Sequence, residues 1–392
     1  MRHALPITLL ALLTPFAAQA GERTSFTAWP PKWSLPGETG LSLTGNAAYD
    51  ANHVMGHAEP RLVDAEGWRR QEFGFVLRRK GVYDLGASFD FEAKTWMDVT
   101  LRVEGKALTG HDIGRFRVGQ SKLPLGFEGN TATRNSLFLE NSLPSQAFYP
   151  GRRIGFDWAL ERPTHLVNAG YYGSDLQGNN RGRVLAARAA WTPVKDAGHV
   201  VHLGLAATRE RPDGEIDGRG IAIPASARWR ARPEAGLAAT RLVDSGSLAG
   251  VDRIERLGVE SLWIRGPWSL QAEHLGQRTQ RDAGRPDYSA AGGYVAGSWI
   301  LTGESRVYSG GNVANPVPAG RAGAFELTAR HSWIDLDDAG IAGGREHNWT
   351  LGANWYPNRH LKLQANVVRV DARRGAARTD THLLLFRAQA HF

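Results

Sequence analysis

From about residue 41 to the last atom, the chain repeats one pattern: segments of about ten residues in which apolar and polar side chains alternate. Asp84–Glu92 places Leu85, Ala87, Phe89 and Phe91 on one face and Asp84, Ser88, Asp90 and Glu92 on the other. Trp96–Glu104 sets Met97, Val99, Leu101 and Val103 against Asp98, Thr100, Arg102 and Glu104. A period of two puts a strand between a greasy surface and a wet one. Further copies fall at 113–121, 153–161, 165–173, 183–193, 199–209, 253–264, 268–277, 290–301, 324–334, 346–356, 361–371 and 382–392, and no helical period of similar quality competes with them. The last copy runs to the C-terminus and ends on a ring: Phe386, Ala388, Ala390 and Phe392 point one way, Arg387, Gln389 and His391 the other.

The connections alternate as well. Short links at Lys80-Gly81, Arg162-Pro163, Lys195–Gly198, Gly266-Pro267 and Pro357-Asn358 interleave with long polar ones at 51–67, 122–151, 174–182, 278–288, 335–345 and 372–381. Short turns at one end and long loops at the other are the rhythm of an outer-membrane barrel. With 41–50 and 68–79 as the first two strands, and 210–252 as one long loop, the count is sixteen and even. Two links break the rhythm: 92–95 is short for an extracellular loop and 302–323 long for a periplasmic turn. A soluble sandwich or propeller offers similar strands, but no blade-length repeat is present and the apolar face recurs on nearly every segment.

The N-terminus fits export. Met1-Arg2-His3 precedes the apolar run Ala4–Ala18, too short to cross a bilayer as a helix, and Ala18-Gln19-Ala20 resembles a signal-peptidase site. The reading is therefore a secretory signal at 1–20, an irregular Pro- and Trp-bearing leader at 21–40 and a barrel domain at 41–392. Zero cysteines exclude a disulfide scaffold, thiol catalysis and Cys-ligated metal. A formal charge of +8 on an exported chain favours anionic partners, and outside the cytoplasm these are solutes, lipopolysaccharide or peptidoglycan rather than nucleic acid.

Five stretches follow one another along the chain: Gly119-Gln-Ser-Lys-Leu-Pro-Leu-Gly-Phe-Glu128, Asn141–Gly155, Gly292–Glu304, Ala324–Leu336 and Thr350–Asn358. In this order they resemble the phosphate-selective porin O and P family of Gram-negative outer membranes. The resemblance implies an all-β, 16-stranded antiparallel transmembrane β-barrel, trimeric, whose third extracellular loop folds inward. It also implies passive diffusion of small hydrophilic solutes, with phosphate or polyphosphate among them. Phosphate-specific members are lysine-rich at the constriction, whereas 122–151 holds Lys122 alone, with Arg134 further along.

Selectivity in a pore needs charge at a narrow place, and Arg suits anions because its planar fork binds oxyanions bidentately and stays charged. Strand parity gives Arg102, Arg115, Arg117, Arg153, Arg330 and Arg387 as lumen-wall candidates; Lys122, Arg134 and Arg153 lie nearest the inferred constriction. In 210–252, Arg228-Trp-Arg-Ala-Arg232 puts Arg228, Arg230 and Arg232 on one side, as an anion-attracting vestibule or a lipopolysaccharide contact. Inward acids (Asp84, Asp90, Asp98, Glu104, Asp157, Glu273, Glu326) offer the plainer reading that wall arginines are paired across strands.

Trp158, Trp191, Trp268, Trp333, Trp349 and Trp355 suit interfacial girdles, and Trp96 is the best candidate for a sugar contact. No nucleophile elbow, zinc motif or phosphate loop occurs, and His53 and His57 fall in a loop without a carboxylate pattern. The expectation is an outer-membrane porin, anion-preferring, without cofactor, metal or catalytic residues. Its expected partners are small anions such as phosphate, outer-membrane lipid and lipopolysaccharide, copies of itself in a homotrimer, and the barrel assembly machinery that reads Phe392. A closed structural or adhesive barrel is the alternative of another class.

Overall fold

A computed structural model describes residues 29–56, 62–282, 284–338 and 340–392. The expected signal peptide, residues 21–28 of the leader and His57 lie outside the described residues. The alternating segments are strands: β1 (Thr39–Met55), β2 (Ala65–Arg79), β3 (Tyr83–Asp90), β4 (Thr95–Glu104), β5 (Arg115–Lys122), β6 (Arg152–Glu161), β7 (His165–Tyr172) and β8 (Gly182–Asp196). The second half supplies β9 (His199–Pro212), β10 (Val251–Arg265), β11 (Trp268–Arg281), β12 (Tyr288–Ile300), β13 (Ala324–Asp338), β14 (Ile341–Asn358), β15 (Leu361–Arg374) and β16 (Ala377–His391). Each pairs antiparallel with the next, and β16 returns to β1 from Asn46↔His391 to Met55↔His382, so the sheet closes as sixteen strands without an edge.

The closing seam uses the C-terminus. Gly45 N–H donates to the Phe392 carbonyl at 3.1 Å and Phe392 N–H to the Gly45 carbonyl at 3.0 Å, while Trp29 meets the Phe392 ring edge-on. Part of the leader is regular, since Lys32–Leu35 forms a short strand on the start of β1.

Side-chain parity sorts as the alternation requires. Leu185, Trp191, Leu205, Leu257, Leu351 and Phe386 face out, and Asn46, Asp50, Arg188, Glu260, Glu326 and Gln389 face in. Stacked aromatic pairs Trp268–Trp299 and Phe325–Trp355 mark a girdle at the short-turn end. The expected loops at 335–345 and 372–381 are instead largely continuations of the wall: β13 runs on to Asp338 and β14 starts at Ile341, while β15 runs on to Arg374 and β16 starts at Ala377. Their polar residues read as loop because both faces meet water beyond the apolar band. Cross-strand ion pairs Arg345–Asp335 (3.0 Å) and Arg369–Asp380 (3.4 Å) hold these projecting ribbons.

Connections from both ends enter the barrel. The 123–151 loop crosses it: Phe127 N–H donates to Glu273, Leu139 N–H to Asn366 and Leu143 N–H to Ser332, all side chains of the wall. The 213–250 loop follows, burying Trp229, Ala231 and Val243 with Leu143 and Phe148 of the first loop against Ile254, Leu275 and Ile334. The link at 301–323, long for its end, carries the hairpin Val307–Ser309/Asn312–Ala314, whose Val313 packs on Phe127, Val200 and Ile264. These insertions explain why Val368, Val370, Leu383 and Leu385 can face inward: they cover Leu139 and Leu242 rather than water.

One backbone position is fixed by close approach. Gly119 of β5 sits at φ +121°, and a Cβ there would stand 2.1 Å from the Val99 carbonyl. Gly119→Val should lower barrel stability by about 1–3 kcal/mol, read as a lower urea midpoint for the heat-modifiable folded band; an unchanged midpoint refutes the close packing of β4 on β5.

Candidate functional site in the lumen

Two charged cavities lie within the barrel, on either side of the 123–151 loop. The one toward the long-loop end, about 340 Å³, is lined by Arg69, Arg70, Arg228, Arg230, Arg232, Arg241 and Arg387, with Glu140 as its carboxylate. The other, about 210 Å³, is mixed: Arg102, Arg115, Arg117, Lys122 and Arg188 face Asp98, Asp157 and Glu161.

Several wall arginines are held by acids directly across the ladder, as the sequence's inward carboxylates suggest. Arg387 opposes Asp50 and grips it bidentately at 2.7 Å through each arm. Arg117 opposes Asp157 (2.7 Å) and Arg102 opposes Asp84 (3.6 Å), while Arg115 lies 3.9 Å from Glu161. Arg153 is buried against Glu210 and lines neither cavity. Lys122 donates to the carbonyls of Gly129 (2.8 Å) and Thr131 (2.7 Å), so its ammonium ties the 123–151 loop down while its stem lines the mixed cavity. Arg134 lies on the same loop, where its carbonyl accepts from Asn315 of the in-folded hairpin. Arg330 is the hub: it reaches Glu128 at 3.0 Å, Glu234 at 2.7 Å and the Glu140 carbonyl at 3.0 Å, with its guanidinium over the Phe138 ring.

Arg69 and Arg70 escaped strand parity. In the β1–β2 ladder Ala48 opposes Arg70 but Tyr49 opposes Trp68, leaving Arg69 as an extra residue. This bulge turns two consecutive arginines toward the lumen where alternation allows one. Arg69 grips Glu140 at 2.7 and 3.1 Å, and Arg70 reaches Asp90 at 3.1 Å. Arg228 is likewise matched by Asp244. The remaining three are not: among the described residues no carboxylate lies within 4.0 Å of Arg230, Arg232 or Arg241. The Arg232 Nε is buried without a hydrogen-bond partner. Burial, then the nearby Arg232 and Arg230, push the Arg241 guanidinium down to about 10, the mark of cations crowded together.

Burial alone would raise the Glu140 carboxyl, but Arg69, with Arg387 and Arg70 behind it, pulls it down from 4.5 to about 2. A depressed acid stabilises its surroundings above its unfolded value and loses that contribution as pH falls through its folded one. Acidification from pH 4.5 toward 2 should therefore remove about 3 kcal/mol from the docking of the 123–151 loop. Hydrogen exchange across 136–148 should speed up over that window; protection that stays flat to pH 2 would refute the assignment.

A closed sixteen-stranded barrel with aromatic girdles, in-folded loops and a charged lumen defines a porin. The chain belongs to the phosphate-selective porin O and P family, whose model matches residues 41–392, and it is an outer-membrane porin of the Gram-negative envelope. An uncharacterized protein of Caulobacter vibrioides is 25% identical over 395 residues, covering 93% of this chain and 75% of the relative. Porin O of Pseudomonas aeruginosa is 30% identical over 204 residues, 46% of each chain. The anion-selective porin from Comamonas acidovorans shares the fold at 14% identity, with a TM-score of 0.54 over 91% of this chain and all of that one.

Proposed function

We propose that this porin passes small anions in preference to cations. The observation that carries the reading is the trio Arg230, Arg232 and Arg241, set without acid partners in a vestibule on the extracellular side of the 123–151 loop. Excess fixed charge in a low-dielectric channel concentrates counter-ions and excludes co-ions. Paired arginines around it shape the wall with little net field. Phosphate and polyphosphate are among the solutes this vestibule suits, since guanidinium forks match phosphate oxygens. Phosphate added at a small fraction of the chloride concentration in a planar bilayer should reduce the chloride current. Undiminished current would refute phosphate binding and leave general anion permeation.

A homotrimer accompanies this reading. β3 and β5 are eight residues long, giving about 20 Å of height at ~3.3 Å per residue and a tilt of roughly 40°, less than the ~25 Å apolar band. A wall this low is shielded from lipid by neighbouring copies.

A further inference from the structure

The outer surface of β7–β9 carries charge where a barrel usually presents a plain lipid-facing belt. Arg183 and Arg211 are exposed, face outward and sit directly opposite each other in the β8–β9 ladder. Like charges so placed repel, and among the described residues neither has a carboxylate within 4.0 Å. With Arg209, Tyr171 and Leu185 they line a recess of about 320 Å³. Arg209 leans on Glu255 at 3.5 Å, both largely exposed, an arrangement that leaves its outer edge free.

Depth fixes what this recess meets. Ten residues separate the girdle Trp268 from the outward Arg278 on β11, about 25 Å of height at ~3.3 Å per residue and a tilt of roughly 40°. Arg278 and Arg209 both oppose Glu255, so the arginines lie at the extracellular edge of the apolar band, at headgroup level. Two residues below, Ala187, Ala207, Leu257, Gly276 and Ala291 stand side by side across five strands. The small residues Ala187, Ala207, Gly276 and Ala291, with Leu257 standing among them, leave a largely apolar groove of about 1210 Å³ that shares Tyr171, Leu185 and Arg209 with the recess.

We propose that this recess and groove bind a phosphorylated, multiply acylated glycolipid of the outer leaflet, a lipopolysaccharide. Its phosphate lies between Arg183 and Arg211, which relieves their repulsion through charge-assisted hydrogen bonds. One acyl chain lies in the groove beneath. The occupant follows from the complement: an oxyanion on a lipid, at the leaflet that faces outward. This surface is separate from the lumen, so its occupancy and the ion preference are independent.

The test uses the folded full-length porin in detergent, titrated with purified lipopolysaccharide and with the same lipid dephosphorylated. Arg183→Ala/Arg211→Ala should weaken binding of the intact lipid at least tenfold, and the native protein should bind the dephosphorylated lipid equally poorly. Ala207→Trp, which fills the groove and keeps every arginine, should also weaken it. Single-channel conductance unchanged in all variants certifies an intact barrel. Equal binding by native and double-arginine protein overturns the proposal, and so does equal affinity for phosphatidylglycerol vesicles. Displacement of the lipid by inorganic phosphate alone at equal concentration overturns it too, because the acyl groove then contributes nothing.

Discussion

Replacing Arg230, Arg232 and Arg241 together by glutamate should turn the channel from anion- to cation-leaning. Each substitution changes +1 to −1, so the vestibule's formal charge shifts by six units, and the arginines left around it (Arg69, Arg70, Arg228 and Arg387) are already matched by Glu140, Asp90, Asp244 and Asp50. The chloride-to-potassium permeability ratio should fall by about tenfold or more, the lower end of what a focused field achieves. All three residues belong to the 213–250 loop rather than the wall, so the barrel and its heat-modifiable band should persist. The effect should also shrink between 0.1 M and 1 M salt, where the screening length falls from about 10 Å to about 3 Å. A variant with unchanged reversal potential at low salt would show that these guanidinium groups lie off the ion path.

The second large effect is expected at Arg330. Its side chain is 1% exposed and joins both in-folded extracellular loops to β13 through Glu128 and Glu234. Removing one partner of a buried ion pair costs about 3–5 kcal/mol, because a buried charge is left behind. Burial already pushes the Glu234 carboxyl upward against the pull of Arg330. Without that arginine Glu234 takes up a proton, and its tie to the wall reduces to neutral hydrogen bonds with Ser332 and with Thr350 at 2.9 Å. Arg330→Leu should therefore release the loops while the wall's ladder stays intact. Single-channel records should show larger, noisier steps, and protease should cut within 123–151 or 213–250. Native-like steps together with native protease resistance would refute the hub.

The wall was legible from the sequence because a period of two is imposed directly by lipid on one face and water on the other. Fourteen strands of the barrel overlap a segment read from side-chain alternation, the first two overlap 41–50 and 68–79, placed by the rhythm of the connections, and residues such as Arg117, Arg330 and Arg387 point inward as parity requires. Ladder partners Asp50 and Asp157 show how far the plain pairing reading extends. What escaped was whatever alternation does not govern. The bulge at Arg69 adds a residue without any compositional mark. Arg241 lies in a loop whose path is set by burial of Trp229, Leu242 and Val243, contacts with wall residues distant in sequence. The inward turn of 301–323 likewise shows only as excess length, its cause being the fit of Val313 and Tyr308 against Phe127 and Val200.

The central claim is that unpaired vestibule arginines set the sign of selectivity. The zero-current potential of the native protein in a planar bilayer, under a potassium chloride gradient at low salt, tests it most directly. Stepwise current with a potential on the chloride side is the predicted result. A potential on the potassium side would contradict it.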